Sequence, residues 1–251
     1  MIKPSSEPLI SIITVVYNSV DTIEKTIKSV INQSYQNIEH ILIDGGSTDG
    51  TKEILENYRD HFSFFLSESD KGFYFGLNKG LKHANGHLVS ILNSGDWYEV
   101  DTISKVVHYF NLFPSIDIYH GLLRFVSPNF DYLYIVGHYS NFLNSGMIEH
   151  PTCFISRRFY NLVGDFNTKY RTASDYEWMI RAINKNATFY FVPELLTNFI
   201  VGGMSDSLFG NLEQLRIKYD LKLIKEFRYT YSYIYIRLFF VLKFIQKKLY
   251  H

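Results

Sequence analysis

Asp44, Asp70 and Asp96 each close a short apolar run: Ile38 to Ile43, Phe62 to Leu66, and Leu88-Val89-Ser90-Ile91-Leu92. Runs of this kind read as buried strands of a parallel sheet. The rim beyond the carboxyl ends of such strands is where α/β sheets hold their ligands. Acidic groups converging there suit a nucleotide together with a hard divalent cation, which prefers oxygen ligands. Asp96, in Asn93-Ser94-Gly95-Asp96-Trp97, carries most of this expectation. It would coordinate Mg2+ or Mn2+ bridging the phosphates of a leaving nucleotide, since magnesium keeps waters and needs few protein ligands. The plainer alternative for Asp96 is a cap on the following helix.

The neighbouring residues divide between chemistry and architecture. Asp44-Gly45-Gly46-Ser47-Thr48-Asp49-Gly50-Thr51 is a turn whose glycines let backbone approach a ligand closely. Asp44 would accept hydrogen bonds from a ribose or a uracil-like base, while Asp49 reads as a helix N-cap. Lys71, in Asp70-Lys71-Gly72, would bring charge to a diphosphate without fixed geometry; an exposed ion pair explains it equally well. Asp175 and Glu177 are two apart on an expected helix, so they face different directions and only one can enter a site. Asp175, in the first turn, is the candidate general base, its ionised form favoured by the helix N-terminus. Ser174 reads as N-cap with Glu177 at the capping-box position. His150, Glu177 and Gly203 are the candidates for contact with an acceptor or phosphate. His150 is equally a structural histidine, and Gly203, in Gly202-Gly203-Met204-Ser205, equally part of a hinge.

These residues need a scaffold, and the hydrophobic pattern supplies one. Leu9 to Val16 is β-branched and apolar, and Ile23, Ile27, Val30 and Ile31 recur at helical spacing. Strands at Ile38–Ile43, Phe62–Leu66 and His87–Leu92 alternate with helices at about Asp49–Tyr58 and Tyr74–His83. This alternation predicts a mainly parallel, doubly wound α/β sheet. Farther on, a helix is expected at Thr102–Phe110 and strands at Ile116–Tyr119, Gly121–Val126 and Tyr132–Val136, an antiparallel extension. Ser174–Asn184 reads as a helix, Thr188–Val192 and Leu195–Ile200 as strands, and the chain after Ser205 as a helical C-terminal tail.

The chain has 251 residues, 46% of them apolar and 17% aromatic, enough for one large α/β domain with an appendage. One cysteine excludes an intramolecular disulfide framework and a Cys-based zinc site, and suits a reducing compartment. The first eight residues lack the apolar stretch of a signal peptide. Net charge is zero, but unevenly spread: residues 216–251 carry 9 Lys and Arg against 2 Asp and Glu. A basic, aromatic-rich tail on an acidic body points to an anionic membrane surface, with a helix packed back on the domain as the alternative. Nothing is long and charge-free enough to span a bilayer. No nucleic-acid recognition motif accompanies the basic charge.

Six segments together resemble an inverting family 2 glycosyltransferase of the GT-A fold, of the type acting in bacterial surface-polysaccharide synthesis. They are Ser11 to Asn18, Ile43 to Thr51, Glu68 to Gly72, Leu92 to Asp96, Ala173 to Glu177 and Gly202 to Ser205. The resemblance covers about residues 8–205. It implies a catalytic domain over 1–205, with a nucleotide-sugar half of about 8–100 and an acceptor half of about 101–205, and a separate helical segment, 206–251. Val16, Tyr17, Asn18, Asp44, Asp70, Lys71 and Asn93 would hold the nucleotide, Asp96 the Mn2+ or Mg2+, and Asp175 would be the catalytic base. The implied reaction moves a sugar, with inversion, from a UDP-linked donor to a polyprenyl-diphosphate-linked saccharide in O-antigen or capsule synthesis. The implied location is cytoplasmic, on the inner face of the membrane. Two departures from the family stand out. Asn93 and Gly95 stand where further carboxylates are usual, and Phe75 stands where relatives with Asp-Lys-Gly often carry an acid. The thinned motif leaves a non-catalytic nucleotide-sugar-binding subunit as one alternative. A nucleotidyltransferase is the other, though it would favour a glycine-rich, basic loop where this chain has Val16-Tyr17-Asn18-Ser19.

Overall fold

The computed structural model describes residues 7–203 and 207–249. Strand β1 (Ile10–Val16) is buried at every position, Ser11 and Thr14 included, because both of its faces are covered. It pairs in parallel with β2 (Ile38–Asp44) and β4 (Leu88–Ile91), and β2 pairs in parallel with β3 (Phe64–Ser67). Helices α1 (Ile23–Ile31), α2 (Thr51–Asn57) and α3 (Phe73–His83) make the crossovers. Helix α3 lies hard against β1: a Cβ at Gly76 would come within 2.9 Å of Val15, and one at Gly80 within 2.6 Å of Ile13. These glycines set the distance between the helix and the sheet rim.

The remaining elements are β5 (Trp97–Tyr98), α4 (Thr102–Leu112), β6 (Ile118–Val126), β7 (Tyr132–Val136), β8 (Phe154–Ser156), α5 (Arg157–Val163), α6 (Ser174–Asn184) and β9 (Phe189–Ile200). The sheet runs β3-β2-β1-β4-β8-β6-β9-β5, with β7 paired to β6. Strands β5, β7 and β8 pair antiparallel with their neighbours, and β6 with β9 is parallel. The expected antiparallel extension on a parallel block is present, except that its β6 and β9 run parallel. Two details differ from expectation. Ile116–Tyr119 and Gly121–Val126 form one strand, since Gly121 stays in the ladder. Thr188–Val192 and Leu195–Ile200 also form one strand. Its register against β6 jumps from Val192 to Leu195, so Pro193, which lacks an N–H, sits at a bulge.

One apolar core packs α3, α5 and α6 on one side of the sheet through Leu77, Phe159, Trp178 and Met179. A second packs α1 and α4 on the other through Val30, Ile103 and Val106. The segment expected as a single tail over 206–251 divides in two. Helix α7 (Leu208–Asp220) belongs to the body: Ile217 is fully buried among Tyr170, Ala173, Tyr176 and Ile180. Helix α8 (Glu226–Leu249) projects, with Phe227, Tyr231, Tyr235 and Leu238 all more than half exposed.

Candidate active site

The loops after β1, β2 and β4 are tied to one another before any ligand arrives. Asn18, in the left-handed region at φ 46°, receives a bond from the Thr48 N–H on its Oδ1 and donates its own N–H to Ser47 Oγ. Ser19 Oγ meets Ser94 Oγ at 3.1 Å. The Thr26 hydroxyl of α1 donates to the Asp96 carbonyl at 2.8 Å and accepts from the Gly95 N–H at 3.0 Å. Val16 is buried, its carbonyl taking the Gly45 N–H, while Tyr17 is 62% exposed beside it.

The three strand-end carboxylates have different environments. Asp44 is fully buried; Ser47 donates to it through N–H and hydroxyl, and Ser67 through its hydroxyl at 2.7 Å. These bonds shape the loop and occupy much of its accepting capacity. Asp70 receives the Gly72 N–H on Oδ1, but its buried Oδ2 has no partner among the described residues. Its carboxylate faces Gly45, 3.5 Å from where a Cβ would stand there. Lys71 is exposed nearby. Asp49 accepts from the Val20 N–H and from Thr51, but it is not the expected N-cap: that position is Gly50, at φ 100°.

Asp96 is 4% exposed, and burial pushes its pKa up to about 8. The Asn93 Nδ2 lies 3.3 Å from Asp96 Oδ2, and Asn93 Oδ1 is buried without a partner among the described residues. Asp96 caps no helix; α4 starts after Asp101. A buried carboxylate that holds its proton to about pH 8, beside an orphaned carboxamide oxygen, lacks a positive charge. Both are hard oxygen donors, so they fit a Mg2+ or Mn2+ ion that takes its remaining ligands from water and phosphate. No cluster of three or more His, Cys, Asp or Glu occurs among the described residues, so such an ion would have few protein ligands.

Asp175 stands in the first turn of α6. Its Oδ1 accepts from Tyr74 Oη at 3.0 Å and from the Tyr176 N–H at 2.9 Å. Tyr74 is 4% exposed in α3, just after Asp70-Lys71-Gly72; burial first, and the Asp175 charge second, push its pKa well above the ordinary value. His150 is buried in a short 3-10 turn over His150–Thr152. Burial lowers its pKa, and the Asp175 charge opposes that shift. The helix start differs from the expected capping box. Ser174 Oγ is buried with no partner among the described residues, and Glu177, expected at acceptor or phosphate, is 6% exposed and held by Arg181 Nε at 2.9 and 3.1 Å. Glu213 of α7 takes over the capping: its carboxylate accepts the N–H groups of Arg171, Thr172 and Ala173 and the Thr172 hydroxyl. Gly203 is exposed; Met204 and Ser205 lie outside the described residues.

Tyr74 and Glu213 are the residues that sequence reasoning missed. Tyr74 reads as one more aromatic in an apolar helix, and only its place after Asp70-Lys71-Gly72 marks it. Glu213 is far along the chain from the turn it caps and carries no local signal.

Comparison with known proteins agrees with this arrangement. The family model described as glycosyl transferase family 2 matches residues 11–162. An uncharacterized glycosyltransferase of Mycobacterium tuberculosis (strain H37Rv) is 31% identical over 183 residues, 71% of this chain and 70% of that protein. TuaG of Bacillus subtilis, named for teichuronic acid biosynthesis, is 37% identical over 106 residues, covering 41% of this chain and 42% of TuaG. Among solved structures, residues 1–349 of S. aureus TarS in complex with UDP-GlcNAc superpose with a TM-score of 0.67 at 20% identity, over 88% of this chain and 69% of that one. At that identity the likeness speaks for the fold, which is the expected GT-A arrangement. With the match spanning the strands that carry Asp44, Asp70 and Asp96, the chain belongs to glycosyl transferase family 2.

Proposed function

We propose that this protein transfers a sugar from a UDP-linked donor to a saccharide acceptor, with inversion, in the assembly of a surface polysaccharide. The observation that carries the reading is the Asp175 carboxylate, fixed at Oδ1 by buried Tyr74 and the Tyr176 N–H, in a chain whose buried Asp96 has no ion-pair partner among the described residues. The donor nucleoside would lie on the tied loops, against Val16, Tyr17 and Asn18, with Asp70 Oδ2 and Asp44 at the ribose or base. Lys71 would meet the diphosphate. Asp96 and Asn93 would hold Mn2+ or Mg2+, which when bound supplies positive charge to the leaving diphosphate. Asp175 Oδ2 accepts the proton of the acceptor hydroxyl as that oxygen attacks the anomeric carbon. Tyr74 keeps the other oxygen fixed, so the base needs no reorientation. His150, buried close enough to feel the Asp175 charge, would contact the acceptor; Glu177 acts through its pair with Arg181 instead. The names of TuaG and of the UDP-GlcNAc complex of TarS support a UDP-sugar and a polymer product.

Helix α8 supports a lipid-linked acceptor at a membrane surface. Between Tyr229 and Leu242 it carries a single charge, Arg237, with Phe227, Tyr231, Ile234, Leu238 and Val241 exposed along one face. No helix among the described residues is long and apolar enough to cross a membrane. An interfacial helix on anionic lipid fits both facts.

The reading is tested with a panel of UDP-sugars, with and without Mn2+, scored for donor hydrolysis and transfer. Asp175→Asn should bind UDP as the parent does and lose transfer by about 10²–10⁴-fold. A dead Glu177→Gln variant beside an active Asp175→Asn would move the base to Glu177. UDP-sugar binding with no turnover under any condition would leave a binding subunit.

A further inference from the structure

Trp97 follows Asp96 directly, with its ring against the Lys25 ammonium of α1. The strand registers set Trp97, Asn198, Arg124 and Ile135 side by side across β5, β9, β6 and β7. Their neighbours Tyr98, Thr197, Leu123 and Val136 occupy the other face. There the Thr197 hydroxyl donates to the carbonyl of Pro151, next to His150. On the Trp97 face is a cavity of about 480 Å³ lined by Trp97, Arg124, Phe130, Tyr132 and Asn198, among others. A second, of about 260 Å³, lies between Trp97 and the Lys25 and Lys28 side of α1. The transfer chemistry uses neither.

The lining indicates what would bind. The floor is a fixed polar network: Arg124 Nη1 donates to Glu99 Oε1 at 2.8 Å and to Asn198 Oδ1 at 2.9 Å, and fully buried Asn198 donates to Glu99. Phe130, 45% exposed, and Tyr132, 63% exposed, stand over it with Trp97. Rings that cover the C–H face of a pyranose, above fixed groups that bond its hydroxyls, are what a saccharide site requires. The third feature is charge. The Lys25 ammonium sits 3.2 Å from the Trp97 ring centroid and 3.9 Å from that of Phe130. No carboxylate is within ion-pair distance of it among the described residues. The rings hold this cation without neutralising it.

We propose that this groove is a second saccharide site, selective for an anionic glycan, with Trp97 and Phe130 against sugar rings and Lys25 paired with a carboxylate or phosphate on the chain. A neutral sugar would leave the ammonium without a counter-ion; an anion supplies it in a partly dehydrated place, where the attraction is stronger than in water. The proposal needs no donor, metal or turnover, so it stands apart from the transfer reading.

Trp97 provides its own readout. The chain has two tryptophans, and the other, Trp178, is fully buried, so ligand-dependent changes in tryptophan emission report on the groove. The full chain is titrated with hexagalacturonate, with phosphorylated maltohexaose, with neutral maltohexaose and with anionic phospholipid vesicles. Saturable quenching by either anionic oligosaccharide, at least about tenfold tighter than by the neutral one, is expected. The arm that responds tells carboxylate from phosphate. Lys25→Met should weaken that binding at least about tenfold and Lys25→Arg should restore most of it. UDP binding by calorimetry, run on the same samples, is expected to be unchanged and shows that the variants fold. Equal response to the neutral sugar, an unchanged Lys25→Met variant, a response to vesicles alone, or none at all overturns the proposal. If the parent fails to bind UDP, the transfer reading falls while the groove is still judged by its own titration.

Discussion

The chemistry assigned here rests on how single groups are held. Tyr74 donates to Asp175, which fixes the orientation of the proposed base. Tyr74→Phe, which removes that bond, should therefore lower kcat by about tenfold while leaving UDP affinity unchanged; an unchanged kcat would reduce Tyr74 to packing. Asp96 gives a test that needs no substrate. Its folded pKa of about 8 stands above the ordinary 3.8, so the folded state keeps a proton that the unfolded chain releases. Stability from this group is complete below about pH 4, declines as pH rises through the interval, and levels above about pH 8. Asp96→Asn lacks that decline, so without metal it should melt several degrees above the parent at pH 8 and close to it at pH 4, and its turnover should fall by about 10²-fold or more. Added Mn2+ should stabilise the parent and not the variant. A variant that melts lower at pH 8, or gains equally from Mn2+, contradicts the cation role.

At the level of elements, the first hundred residues were legible because each strand and helix there follows a local period. Apolar runs gave β1 to β4, and helical spacing gave α1 and α3. The strand-end carboxylates were legible for the same reason, since position in the run tells position on the rim. Elements whose form depends on distant partners were not. β8 has three residues and β5 two; each exists because a neighbouring strand lends it a ladder. The split expected in β9 followed from Pro193, which is a breaker in sequence but harmless at a bulge. The start of α6 is the most instructive case: Ser174-Asp175-Tyr176-Glu177 has the letters of a capping box, yet Arg181 takes Glu177, the Asp175 and Tyr176 N–H groups go to Tyr74 and Asp175, and Glu213 holds the turn just before the helix. Glu213→Ala should cost about 1–3 kcal/mol of stability, as several donors lose a charged acceptor, and should lower kcat with little change in donor KM, since Asp175 stands next to the released turn. Urea unfolding and steady-state kinetics check both; a stability loss below about 0.5 kcal/mol would mean water replaces the carboxylate fully.

For the whole molecule, the division that matters lies between α7 and α8. Truncation after Glu226 should leave a folded body, since Ile217 and Glu213 stay in place, with UDP binding retained and binding to anionic vesicles lost. Co-sedimentation at low and high salt measures this. Salt should weaken binding of the full chain only in part, because each basic residue contributes about 1 kcal/mol and the aromatic face is indifferent to salt. Aggregation of the truncated protein would instead show α8 to be structural. One feature of α7 then takes on a mechanical meaning. The helix that braces the Asp175 turn through Glu213 is the one that leads into α8, and only residues 221–225 separate the two. That joint spans at most roughly 18 Å at full extension. A protein anchored by α8 thus works like a lathe tool on a short post. So anchored, the proposed base would sweep a thin layer above the lipid headgroups, and the length of an acceptor's stalk would decide which hydroxyl comes under the blade.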